Sequence, residues 1–139
     1  MKIKQSTFYA LRLIYRIYKE ADGVVTSVEL AKMEEISQGV TMKILRQLTQ
    51  VGILNVHQGI CGGFSLSRDI NEITMLEVIT EFEGLDICKD IGESTGSEKK
   101  GLLRTCSRIN EELQAVLLKY TVRALFEPKE NLFSESMPL

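Results

Sequence analysis

The chain has 139 residues, 44% of them hydrophobic, which suits one domain of ordinary size with an appended element and a real core. No apolar run is long enough to cross a bilayer and no cleavable signal pattern opens the chain, so a cytoplasmic protein without a membrane partner is expected. Cys61, Cys88 and Cys106 form no CxxC pair, which points away from a disulfide framework and a zinc finger, and the net charge of −2 argues at first against a nucleic-acid partner.

Residues 6–20 have the spacing of an amphipathic helix, with Ala10, Leu11, Leu13, Ile14, Ile17 and Tyr18 on a wide apolar face and Ser6 or Thr7 as its cap. Asp22-Gly23 ends it, and Val24-Val25 is short enough to add one strand beside a hairpin. Thr26 or Ser27 caps a second, shorter helix carrying Val28, Leu30, Ala31 and Met33. Its Glu29, Glu34 and Glu35 suit no phosphate, so this helix braces the next. The third helix is predicted over Gln38–Val51, capped by Ser37 and stopped by Gly52. Val40, Ile44, Leu45, Leu48 and Val51 face the core in this reading. Gln38, Gly39, Thr41, Met42, Lys43, Arg46 and Gln47 then form the exposed side.

Two strand-like pieces follow, Ile53–His57 and Phe64–Ser67, joined by the tip Gln58–Gly63. Gly59, Gly62 and Gly63 there permit positive φ and a close backbone approach. Helix, tight turn, helix, hairpin is the order of a winged helix-turn-helix. A polar helix face is more often merely solvated, and a glycine-rich tip more often merely tight. Their succession favours a DNA-reading head, with His57 near the backbone rather than on a metal. The charge distribution agrees. Residues 1–68 hold nine Lys/Arg and five Asp/Glu, a local +4, whereas residues 69–139 hold −6.

Residues 70–84 predict a further helix, with Thr74 and Glu77 as a capping box and Met75, Val78, Ile79 and Phe82 inward. The stretch 85–101 reads as a loop that is long for one without a task. Residues 102–126 predict one long last helix, with Ile109, Leu113, Val116, Leu117, Tyr120 and Ala124 as a stripe. Packing within the chain is the plain reading of that stripe, and a homodimer seam is preferred. Pro128 ends the order. The expected architecture is mainly α with a small β-hairpin wing: a DNA-binding domain over 1–84, a sensor loop over 85–101, a dimerisation helix over 102–127 and a flexible tail over 128–139. A lone His, and the lack of a nucleophile–base constellation, a P-loop or a dinucleotide fingerprint, argue against an enzyme.

Three strings carry a resemblance: M-K-I-x(5)-Y-A-L-R at the start, I-S-x(6)-I-L-R-x-L-x(3)-G-I-L through the third helix, and G-x-x-G-G-F-x-L-x-R-x(4)-I-T-x-x-E-V-I-x-x-x-E-G from Gly59 to Gly84. The chain resembles the Rrf-two family of bacterial winged-helix regulators, the IscR-, NsrR-, RirA- and CymR-like group. The resemblance implies a homodimer on a two-fold related site in double-stranded DNA. It places Ser37, Gly39, Val40, Met42 and Lys43 at base- and backbone-contacting positions. Gln58 stands where many members carry a wing-tip Arg, which forgoes the attraction of a narrow minor groove for that side chain.

Iron–sulfur members of the family carry three loop cysteines. This chain has Cys88 and Cys106, and no Asp, Glu or His within residues 1–19 that a partner subunit could lend. Asp86, Asp90, Glu93 and Glu98 are oxygen donors, which suit iron–sulfur clusters poorly. Three readings compete: Cys88 and Cys106 ligate a cluster, most simply 2Fe–2S; they form a redox pair; or they are small hydrophobes and control lies with a partner protein or metabolite. The resemblance favours the cluster. Cys61 is expected to be exposed at the wing tip. A winged helix serving only protein contacts is the remaining alternative.

Overall fold

The computed structural model describes residues 2–87 and 96–129. Its first helix, α1 (Gln5–Lys19), runs through the middle of the fold. Ala10, Leu13, Ile14 and Ile17 are essentially inaccessible there, which is why its apolar face is so wide. Neither Ser6 nor Thr7 caps it. Lys4 is the N-cap and makes no side-chain cap bond. Thr7 is buried, and its hydroxyl donates to Glu83 Oε1 at 2.7 Å, while the Lys4 amide donates to the same oxygen at 2.6 Å. A distant carboxylate therefore satisfies the helix start in place of a local cap.

Helix α2 (Ser27–Glu34) begins with a complete Thr26/Glu29 capping box and ends at Glu35, the one non-glycine among the described residues with positive φ (56°). Only Leu30 and Ala31 of its apolar run are buried; Val28 and Met33 are exposed. Helix α3 (Gln38–Gln50) follows after three residues, capped by the Ser37 hydroxyl as expected. It ends one residue before the predicted Val51, and Gly52 takes a φ of +83°.

Strands β1 (Leu54–His57) and β2 (Gly63–Leu66) pair antiparallel, Leu54 with Leu66 and His57 with Gly63. Val25 bridges β2 through Val25 N to Phe64 O (2.9 Å) and Phe64 N to Val25 O (2.8 Å). The expected third strand thus exists as a single antiparallel bridge that roots the wing in the body. A 3-10 turn (Ile70–Glu72) then precedes α4 (Met75–Phe82), so the predicted helix over 70–84 is split. Thr74 and Glu77 do form the capping box, which starts a new helix at that point.

The C-terminal part differs most from expectation. Helix α5 (Ser97–Leu118) starts five residues earlier than predicted, and a separate helix, α6 (Val122–Phe126), replaces the end of the single long one. The break is made by pairing. Met75 N donates to Tyr120 O and Val122 N to Ile73 O, both at 2.8 Å, which holds Thr121 extended beside Thr74. The Thr121 hydroxyl then caps α6, and Val122 is fully buried. Phe126 stacks on Tyr15 of α1 at 4.4 Å. Ala124 of the predicted stripe therefore belongs to α6. Among the described residues no helix is long and apolar enough to cross a membrane.

Burial opposes ionisation of Glu83, but the hydrogen bonds from Thr7 and the Lys4 amide outweigh it and lower its pKa. Glu77 behaves alike: burial raises its pKa, and hydrogen bonds from Arg68 and Thr74 lower it further than that. A lowered folded-state pKa contributes stability above the ordinary carboxylate range and loses it as pH falls through the folded value. Glu83→Gln should therefore melt lower than wild type at neutral pH, with the gap closing toward pH 3. Thermal melts across pH test this, and parallel curves would refute the assignment.

Candidate nucleic-acid interface

The turn between α2 and α3 is fixed by a carboxylate. Glu34 is only 11% exposed and takes hydrogen bonds from Arg12 Nε (3.1 Å) and Arg16 Nε (2.9 Å) of α1. Arg12 also donates to the Glu34 carbonyl at 2.6 Å, capping the end of α2 with positive charge. Two cations of the basic N-terminal half are thus spent inside the protein. A third, Arg68, is held by Glu77 and the Glu72 carbonyl, not by the wing.

The face that remains is defined by α3 and the wing. No Asp or Glu occurs between Ile36 and Arg68, and the first turn of α3 is free of acidic residues. Ser37, Gly39 and Val40 are exposed at the N-terminus of α3, where helix amides and the dipole favour an anion. Lys43 and Arg46 lie exposed further along, beside Gln47, whose amide donates to Glu81 Oε1 at 3.1 Å. Gln38 is exposed and its amide donates to Ser27 Oγ at 2.9 Å, which links the starts of α2 and α3.

Three expectations along α3 need correction. Thr41 is fully buried and belongs to the core, its hydroxyl without a hydrogen-bond partner among the described residues. Met42 is half-buried against the core. Val40 and Val51, expected inside, are each 42% exposed, because α3 presents only Thr41, Ile44, Leu45 and Leu48 to the other helices. The inward stripe is shifted round the helix by one residue at its start, and periodicity over so few turns could not settle that.

In the wing, His57 and Gln58 are exposed, and His57 Nε2 lies 2.7 Å from Ser65 Oγ. Gly59 has φ +99° and accepts the Gly62 amide at 3.0 Å, forming a turn with Ile60 and Cys61 at its apex. Gly62 and Gly63 are half-buried, and a Cβ at either would strike backbone: His57 O at Gly62, and Val25 O at 2.7 Å at Gly63. Their role is to hold the hairpin. Gly39 is the opposite case, with open space where a Cβ would go. Cys61 is exposed as expected, and Ile60, which sequence reasoning passed over, is exposed to its full extent.

The sensor residues are less well placed. Cys88, Asp90 and Glu93 lie outside the described residues. Cys106 sits half-buried in the third turn of α5. Ahead of it, Asn110 receives the Ile87 amide at 3.1 Å and donates to Asp86 at 3.3 Å, pinning the chain after α4 onto α5. Among the described residues no three His, Cys, Asp or Glu side chains converge on a metal position.

The helix-turn-helix and the rooted hairpin define a winged-helix protein of the transcription-regulator class. The family model described as "Iron-dependent Transcriptional regulator", Rrf2, matches residues 3–128, and the chain belongs to that family. It is 29% identical to the HTH-type transcriptional regulator NsrR of Bacillus subtilis over 138 residues, 95% of this chain and 94% of that one. Among solved structures it is similar to CymR of Bacillus subtilis (22% identity, TM-score 0.71, 94% of this chain and 99% of that chain). It is also similar to the oxidized form of CymR from Staphylococcus aureus (25%, TM-score 0.65, 94% and 99%) and to T. potens IscR (17%, TM-score 0.69, 100% and 93%).

The two kinds of glycine separate stability from contact. Gly63→Ala should lower stability by about 1–3 kcal/mol through its clash with Val25. Gly39→Ala should leave it unchanged or raise it by up to about 1 kcal/mol, since helix interiors favour Ala. Chemical denaturation distinguishes them, and equal losses would contradict the geometry.

Proposed function

We propose that this transcriptional regulator acts as a cytoplasmic, homodimeric, sequence-specific DNA-binding protein without catalytic activity. The exposed side of α3, with Lys43 and Arg46 in a stretch of sequence free of Asp and Glu from Ile36 to Arg68, carries this reading. Ser37, Gly39 and Val40 would approach the duplex with helix amides, Lys43 and Arg46 would meet phosphates, and the wing would lie along the neighbouring groove. Met42 and Gln38, partly engaged within the protein, would contribute through their exposed atoms.

The dimer reading rests on α5. The helix has no buried residue, although Leu102, Cys106, Ile109, Leu113 and Val116 recur at alternating spacings of four and three. That is the heptad pattern of a helix seam, and four of the five are aliphatic. A second copy of α5 is the natural cover, and it would place two such DNA-binding faces in one assembly. Cys106 then occupies a seam position, where a small thiol packs well.

Control through a partner protein or metabolite, without a cluster, is the reading this placement of Cys106 supports best. Thiol oxidation is the second, supported by the likeness to a CymR solved in an oxidized form. A family described as iron-dependent keeps the cluster within the test. Protein purified without oxygen should contain no stoichiometric iron or sulfide; visible absorbance with both present would reverse the choice.

Selection from a random duplex pool should return a two-fold symmetric sequence, and an unenriched pool would refute the DNA reading. Val116→Glu, on the exposed seam, should convert a dimer to a monomer in sedimentation. It should also weaken binding to that selected duplex by about a hundredfold or more, because both half-sites are then no longer held together.

A further inference from the structure

We propose that Ile60 is an apolar wedge that the wing inserts between base pairs from the minor groove. The proposal rests on the DNA-binding reading above and gives the wing a chemistry of its own. Ile60 is 106% exposed relative to a free residue, at the apex of the turn closed by the Gly62 amide on Gly59 O. An isoleucine held wholly in water at the furthest point of a hairpin gains nothing for the fold.

Its mount is rigid. The hairpin is hydrogen-bonded on both strands, Gly63 sits flush against the Val25 carbonyl, and Phe64 is exchanged in two bonds with Val25. Along the first strand and into the turn the apolar residues are Leu54, buried, Val56, half-exposed, and Ile60, with Gln58 between the last two. No carboxylate accompanies it, since residues 36–68 contain none, so a polyanion can approach the tip without repulsion. Gln58 and His57 flank it with neutral hydrogen-bonding groups in place of a cation. A side chain of this type wedges by partly unstacking one base step, which is least costly at a pyrimidine–purine step such as TA. The wing would therefore select a deformable step rather than a narrow groove.

The test uses the full chain and duplexes selected by it. A 2-aminopurine scan across the positions outside the symmetric core should show one step brightening on binding, and end-labelled duplexes should report a bend. Ile60→Ala should melt like wild type, bind roughly ten- to thirtyfold more weakly and lose both signals, as expected for three carbons withdrawn from a desolvated site. Cys61→Ser, the neighbouring apex residue, should keep them. Wild-type binding without brightening, or Ile60→Ala binding as tightly as wild type, overturns the wedge while leaving the DNA reading intact. Failure of wild type to enrich any duplex overturns both.

Discussion

The reading face depends on one carboxylate. Glu34 draws Arg12 and Arg16 of α1 onto the last turn of α2, and Arg12 also takes the Glu34 carbonyl. The next residue, Glu35, is driven into the left-handed region, and α3 starts three residues later. The direction of α3 is thus set from α1, the most buried helix in the fold. At 11% exposure Glu34 is screened from water enough for its contacts to count, whereas the arginines stay about 40% exposed and keep part of their hydration. The arrangement gives up positive charge to gain position. What remains exposed on α3 is Lys43 and Arg46, in a stretch without Asp or Glu from residue 36 to residue 68.

The wing divides its labour between its root and its tip. At the root, Gly62 and Gly63 let backbone meet backbone, so a side chain at either has nowhere to go. At the tip, Ile60 and Cys61 touch nothing that orders them. Glycines that look like phosphate-contacting residues in a motif are, at these two positions, the means by which β2 reaches Val25. Gly39 and Gly59, by contrast, have open space where a Cβ would go.

The C-terminal half joins the two parts of the protein. Pairing of Thr121 with Thr74 ends the α5 region, turns the chain and lays α6 on α1. Asn110 ties the segment after α4 to the middle of α5. The end of α4 is thereby linked to α5 through Asn110 and to the start of α1 through Glu83.

The sequence by itself determined the winged helix-turn-helix, the Thr74/Glu77 capping box, the Ser37 cap and the glycine-closed hairpin. Each of these is local chemistry, in which a hydroxyl, a carboxylate three residues on, or a glycine acts on its own stretch of backbone. The strings around them were long enough to indicate the family. The tertiary structure decided what those local rules leave free. It chose Thr41 rather than Val40 for the core, committed Arg12 and Arg16 to Glu34, and spent the expected Thr7 cap on Glu83. It also broke the last helix at Thr121 and started α5 at Ser97, five residues ahead of the expected start. Each of these depends on a partner many residues away, and periodicity within one helix carries no information about which neighbour it will meet.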